Sequence, residues 1–387
     1  MRNLDGSRRA GCDNILKKTS GVFKNVHLNR LFGIILSCLL VFVSVVSSPV
    51  YVDAASHSTF PIMSFTSEER ALQNEVLLSA PEAVIDQQIQ KDLQSYQQGS
   101  SFSLLSYLYY VPEERNQGHI GNCWVWAGTG CMEIALNVQL GIMDRLSVQY
   151  LDSLYSDGSG DDWAGNGGTA ADFADFYDDQ QMIISWANIN AYYQDYNSDD
   201  SAAVDASEIA TNSSYLLDSV DYAQIRTYDV GQETAIMKIK NVLNQNKGVF
   251  FAFYLANDED WNEFYDFWDD ESESSIWDYG FSDGEDWDDE EGGGHAVLCV
   301  GYDDTDPDPA NHYWIMLNSW GVTPERPNGL FRVSMYYDYD AVDADGSYNT
   351  EWWTIKPEYL GTVQKGVDVA PSTSDYYHPM NMIPASW

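Results

Sequence analysis

The sequence predicts an α+β fold on three observations. Residues 123–140 form an apolar helical stretch that ends at Gly141, a residue suited to a helix stop. Residues 232–246 read as a second helix, with Ile236, Ile239, Val242 and Leu243 on one face before Lys247-Gly248. Short apolar runs at 249–255, 296–300, 313–317 and 330–335 read as strands, with Gly301-Tyr302-Asp303-Asp304 as a turn. At 387 residues and 14% aromatic, the chain has room for one large domain or for two lobes around a cleft.

The N-terminal residues 1–55 read as a signal peptide. Arg8, Arg9, Lys17, Lys18, Lys24 and Arg30 precede an apolar run from Leu31 to Val46, and Val52-Asp53-Ala54 offers a cleavage site before Ala55. The run is short for a membrane span, which needs about 20 residues; an uncleaved anchor is the alternative. No later segment is long and apolar enough to span, so the expected location is secreted or at the cell surface. Residues 56–65 read as a loose linker. Thr66-Ser67-Glu68-Glu69 has the form of a capping box, and Ile85, Ile89, Leu93 and Tyr96 recur at helical spacing before a Gly-Ser break at 99–101. Residues 56–107 are therefore a helical extension or a pro-segment covering an active site. Residues 102–113 read as strand-like, 157–168 as loop, 108–360 as the main domain and 361–387 as a tail.

Charge excludes one class of partner. The formal net charge is −41, and the basic residues concentrate in the leader; beyond residue 55 there remain 12 basic and 57 acidic residues. A surface that negative repels nucleic acid. It suits high salt or divalent cations, and the loop with Asp157, Ser159, Asp161 and Asp162 is a candidate for calcium without EF-hand spacing. The most biased stretch, 258–291, has 17 Asp/Glu in 34 residues, interleaved with aromatic residues. It reads as a solvated acidic insertion outside the core, with cation binding or a lid as alternatives.

Chemistry enters with the cysteines. Beyond the leader there are three, Cys123, Cys131 and Cys299, with no CxxC, so neither a disulfide framework nor a zinc site is encoded. Cys123 stands at a helix start, after Gly118 and Gly121. A helix N-terminus and a nearby imidazolium both favour the thiolate. His119, His295 and His312 are the candidate bases; Cys131 and Cys299 read as inert packing residues.

Three blocks in order resemble the papain-like cysteine peptidases (clan CA, C1 family). They are Gln117-Gly118…Gly121-Asn122-Cys123-Trp124; Gly294-His295-Ala296-Val297 with Val300-Gly301-Tyr302; and Tyr313-Trp314…Asn318-Ser319-Trp320-Gly321 with Asn328-Gly329. Leu146-Ser147…Gln149 followed by Asn166-Gly167-Gly168 is a weaker fourth. His295 and Asn318 follow Cys123 by 172 and 195 residues, wider than the family's usual spacing, and the acidic insertion accounts for the excess.

The resemblance implies a helical lobe, an antiparallel barrel-like sheet lobe and an active site between them. It implies Cys123 as nucleophile, His295 as base, Asn318 as orienter of the imidazole, Gln117 as oxyanion donor, Trp320 as a shield over the Asn318–His295 bond, and Gly167, Gly168 and Gly294 as residues lining the path of an extended peptide. The implied function is a secreted endopeptidase acting on polypeptide through a thioester, without metal or cofactor. An inactive cell-surface binding protein and a transamidase or amidase are the alternatives. The family's usual half-cystines fall on Ile120 and Gly165 here, so one of its disulfides is missing at both ends.

Overall fold

The computed structural model describes residues 60–95 and 99–364. The expected signal peptide and nearly all of the expected C-terminal tail lie outside the described residues.

The chain forms strand β1 (Met63–Ser64), helices α1 (Ser67–Ser79) and α2 (Gln87–Ser95), and strand β2 (Ser101–Ser103). The capping box at Thr66 forms as the sequence predicts: its hydroxyl accepts from Glu69 N–H, and the Glu69 carboxylate accepts from Thr66 N–H. Next come α3 (Cys123–Leu140), α4 (Val148–Leu154) and α5 (Ala170–Gln180). Helix α3 is apolar nearly all round and is buried for most of its length, as such a helix must be. It stops at Gly141, which takes φ 67°, the left-handed conformation that a glycine adopts without a Cβ penalty. Its Gly128 lies under the Phe173 ring of α5, where a Cβ would come within 2.5 Å of the ring.

The sheet is built from β3 (Met182–Ile184), β4 (Ser213–Gln224), β5 (Val249–Leu255), β6 (Ile276–Trp277), β7 (Gly293–Asp303), β8 (Tyr313–Leu317), β9 (Leu330–Ser334) and β10 (Thr350–Gln364). Helix α6 (Gln232–Asn244) precedes β5, and α7 (Asp258–Asp270) follows it. The strand order is β3-β4-β10-β5-β7-β8-β9-β6, with β1 and β2 added on β7. All pairings are antiparallel except β6 with β9. Helix α3 lies against β5, β7 and β10. The result is the α+β, two-lobed arrangement that the sequence implies, helices on one side and antiparallel sheet on the other.

Four readings need correction. Residues 60–65 are not a loose linker: Met63 and Ser64 pair with Gly294 and Gly293 of β7. Residues 102–113 give only the end of β2 and then two 3-10 turns, Leu105–Tyr107 and Pro112–Glu114. The expected turn at 301–304 is still strand through Asp303, with the register shifting between Cys299 and Gly301. Strands β2 and β10 carry the sheet over residues 101–103 and 350–364.

The acidic insertion is the largest correction. Helix α7 turns Trp261, Phe264, Tyr265, Phe267 and Trp268 into the core, at i, i+3, i+4, i+6 and i+7, and leaves Asp258, Glu259, Glu263, Asp266 and Asp270 exposed. Its C-terminal carbonyls are capped by a buried arginine. Arg326 Nε donates to Trp268 O at 2.9 Å, and its Nη2 donates to Phe267 O at 2.5 Å. Glu273 ties the following turn to the β8–β9 connection by accepting from Asn328 N–H and Leu330 N–H. Buried donors and carbonyls left unpaired cost about 1–3 kcal/mol each. Arg326→Met should therefore lower unfolding free energy by about 3 kcal/mol, whereas Lys238→Met, at the half-exposed Lys238–Glu82 pair, should change it by less than about 1 kcal/mol. Urea unfolding followed by circular dichroism checks both.

Candidate active site

Cys123 is the first residue of α3, and its loop is held from several sides. Gly121 N–H donates to Gly165 O at 2.6 Å, Asn122 Nδ2 to Asp152 Oδ2 at 2.7 Å, and Trp124 Nε1 to Ala164 O at 3.0 Å. Gly168 lies flat on the Trp124 indole, where a Cβ would come within 2.5 Å. The sulfur accepts a hydrogen bond from Ala296 N–H at 3.3 Å, which fixes it beside the start of β7.

His295 lies in β7, one residue before Ala296. The β7–β8 register ends at Leu298↔Leu317. Continued outward, it sets Trp320 opposite His295 and Asn318 diagonal to it. The contacts follow: the His295 and Trp320 rings stack with centroids 4.3 Å apart, and His295 Nε2 is 2.7 Å from Asn318 Oδ1. Asn318 Oδ1 also accepts from Ser319 N–H at 2.8 Å, so this atom is the oxygen and His295 Nε2 carries the proton. The other ring nitrogen, Nδ1, is buried without a hydrogen-bond partner.

Gln117 is held against the same loop. Its backbone N–H donates to Ser319 O, and its Oε1 accepts from Ser319 Oγ at 2.7 Å. Its Nε2 donates to Ile120 O at 2.8 Å and to Pro61 O at 3.2 Å. Cys123, His295, Asn318, Gln117, Trp320 and Gly294 thus share one buried neighbourhood, with the half-buried Gly167 and Gly168 at its edge. His119 is exposed against Tyr196, and His312 packs on Tyr336; neither joins the site. Cys131 and Cys299 are buried, and all three described cysteines are free thiols. Among the described residues no group of three or more His, Cys, Asp or Glu side chains is arranged to hold a metal ion.

The sequence leaves a pro-segment over the active site open, but reads the residues that lie there as a linker; they form a strap. Residues 60–65 run through the site. Phe60 stacks on Trp320 at 4.7 Å, and its carbonyl accepts from Tyr265 OH at 3.0 Å. Pro61 O takes the Gln117 amide donor. Met63 covers Gly167, where a Cβ would be 3.2 Å from Met63 Cβ. Phe65 O accepts from Trp287 Nε1 at 2.8 Å, and Ser67 N–H donates to Asp289 at 2.7 Å. Both ends of the strap are therefore tied down by the acidic insertion. The apolar run Phe60-Pro61-Ile62-Met63 was the available signal, since a solvated linker would not carry it.

A model of the papain family of cysteine proteases matches residues 100–348. This chain belongs to the papain family. A search of curated proteins finds no match. Among solved structures, the bromelain protease from Ananas comosus in complex with the E64 inhibitor is 18% identical, with a TM-score of 0.41, over 66% of this chain and 97% of that one.

In this papain-family chain, burial opposes both charges of a thiolate–imidazolium pair. Desolvation pushes the Cys123 thiol up to about 12, against the lowering effect of the Ala296 N–H. Desolvation pulls His295 down to about 3, against the raising effect of Asn318. The covered site therefore holds a neutral thiol beside a neutral imidazole. In the intact chain, iodoacetamide should modify Cys123 at least about tenfold more slowly than an unfolded peptide thiol between pH 7 and 9, because only the thiolate reacts. The rate should climb with pH toward the raised value, and urea should abolish the protection. Peptide mass spectrometry resolves Cys123 from Cys131 and Cys299.

Proposed function

We propose that this chain is an exported cysteine endopeptidase held latent by residues 60–65. One observation carries the reading: residues 172 and 195 positions apart from Cys123 in sequence meet it in one buried site, with Ala296 N–H on its sulfur and His295 bonded to Asn318. The basic, apolar and small-residue order of the first 55 residues supports export.

With the strap out, water and substrate reach the site, and the desolvation that keeps the pair neutral falls away. The thiol proton then passes to His295 Nδ1, the ring nitrogen with a free lone pair, and Cys123 Sγ attacks the substrate carbonyl carbon. Asn318 occupies Nε2 and so leaves Nδ1 as the ring's free acceptor, and because it is an amide it adds no charge that would compete with the thiolate. Gln117 Nε2, which now holds Pro61 O, is free to donate to the oxyanion beside the N–H at the start of α3. His295 returns the proton to the leaving amine. Water then splits the thioester, releasing a carboxylate and the free thiol. Trp320, stacked over His295, excludes water from the His295–Asn318 bond.

The test is hydrolysis of unfolded protein by the chain after the strap has been removed by limited proteolysis. Cys123→Ala should abolish turnover. Gln117→Ala should lower kcat by about a hundredfold with a smaller effect on KM, the usual loss for one oxyanion donor. Activity that survives Cys123→Ala would refute the reading.

A further inference from the structure

The strap and the helices behind it are attached to the body in different ways. The strap is held by two paired residues, by bonds to its main-chain carbonyls and by the apolar side chains of Phe60, Met63 and Phe65, with Ser64 and Thr66 exposed and no charged residue in it. Helix α1 is held by a buried charge. Arg70 is 1% exposed; its guanidinium lies 3.5 Å from the centre of the Tyr254 ring and 5.2 Å from that of Trp287, and its Nη2 donates to Tyr348 O at 2.8 Å. It also faces Asp343 at 4.0 Å and offsets the charge of the buried Glu351. Further along, Gln224 Nε2 donates to Leu77 O and Ala80 O, and Asn241 bonds to Asp86 in both directions. Strand β2 is part of the sheet. Removing α1 would leave Asp343 and Glu351 buried without their cation, whereas removing the strap uncovers apolar side chains and strands no buried charge.

Arg70 also reaches the site. Met63 sits opposite Gly294, and Gly294 sits opposite Tyr254, so the three form one row across β1, β7 and β5. With glycine in the middle, the outer two side chains meet over it. A Cβ on Gly294 would be 2.8 Å from the Tyr254 ring and 3.1 Å from Met63 Cε. Tyr254 is therefore a wall of the pocket that Met63 fills, and Arg70 supports it from behind.

We propose that only the strap leaves on activation, that α1 and everything after it remain in the working enzyme, and that Arg70 is a positioning residue for Tyr254 in the pocket vacated by Met63. The proposal rests on the peptidase reading. Water adds across one peptide bond between Met63 and Ser67, giving a carboxylate on the departing segment, which carries Met63, and an amine on the enzyme. That segment then dissociates, and residues 67–103 stay in place.

The experiment starts from the full chain, allowed to process itself, and labels the product with an epoxide that alkylates thiols. The labelled form is isolated and its N-terminus sequenced. The expected N-terminus lies between Ser64 and Ser67. A labelled form beginning beyond α2 would overturn the proposal while leaving the peptidase reading intact. Failure of any form to label at Cys123 would refute the peptidase reading and the proposal with it. In the processed enzyme, Arg70→Met should raise KM about tenfold for peptides that place a methionine in this pocket, with kcat changed less than about twofold, and Arg70→Lys should fall between. An unchanged KM in a folded Arg70→Met enzyme would overturn the positioning role.

Discussion

The 2.7 Å hydrogen bond from His295 Nε2 to Asn318 Oδ1 fixes where the imidazole proton sits, and the rest of the site is arranged around that choice. Ser319 N–H forces the oxygen of Asn318 toward the ring, so Nε2 must be the donor and Nδ1 the acceptor. The bond depends on the antiparallel pairing of β7 with β8, which brings the His295 and Asn318 segments side by side and stacks Trp320 over the ring. The Ala296 amide then places the sulfur next to the same strand. A shift of one residue in the β7–β8 register would turn His295 to the opposite face of the sheet and dissolve the site.

Burial is the second constraint, and it comes from an acidic segment. The insertion separates its two kinds of residue by helical spacing: aromatic side chains of α7 pack on Phe60, Trp320 and Phe331, while most of its carboxylates face water. Tyr265 and Trp287 hold the strap at its two ends. The insertion is thus a wall and a clamp at once, and the strap it clamps removes water from Cys123 and His295. Desolvation then keeps both neutral. Latency on this account is an electrostatic state as well as a steric one.

Much of this was legible in the sequence, and the failures have physical reasons. The start of α3 at Cys123 and its stop at Gly141 could be read because both are set by local chemistry, as could the Thr66 capping box. The apolar strands β5 and β8 were legible as unbroken runs. Strand β10 was not, because Pro357 and Gly361 argue against a strand. Pro357 is tolerated because β5 pairs only with the first four residues of β10, and beyond them the edge next to the proline needs no donor. Helix α7 was hidden by a composition that reads as solvated when its periodicity is ignored. The grouping of Cys123, His295 and Asn318 came from motif order. The strap across them could not, because its position depends on pairings with Gly293 and Gly294, more than two hundred residues away.

The most direct test of the central claim is the ring-nitrogen NMR spectrum of His295 in the intact, isotopically labelled chain between pH 5 and 8. A histidine drawn down to about 3 by burial should not titrate in that range, and it should show a protonated Nε2 and a bare Nδ1 throughout. A ring that titrates near its ordinary value of about 6.5, or one that carries its proton on Nδ1, would contradict the account.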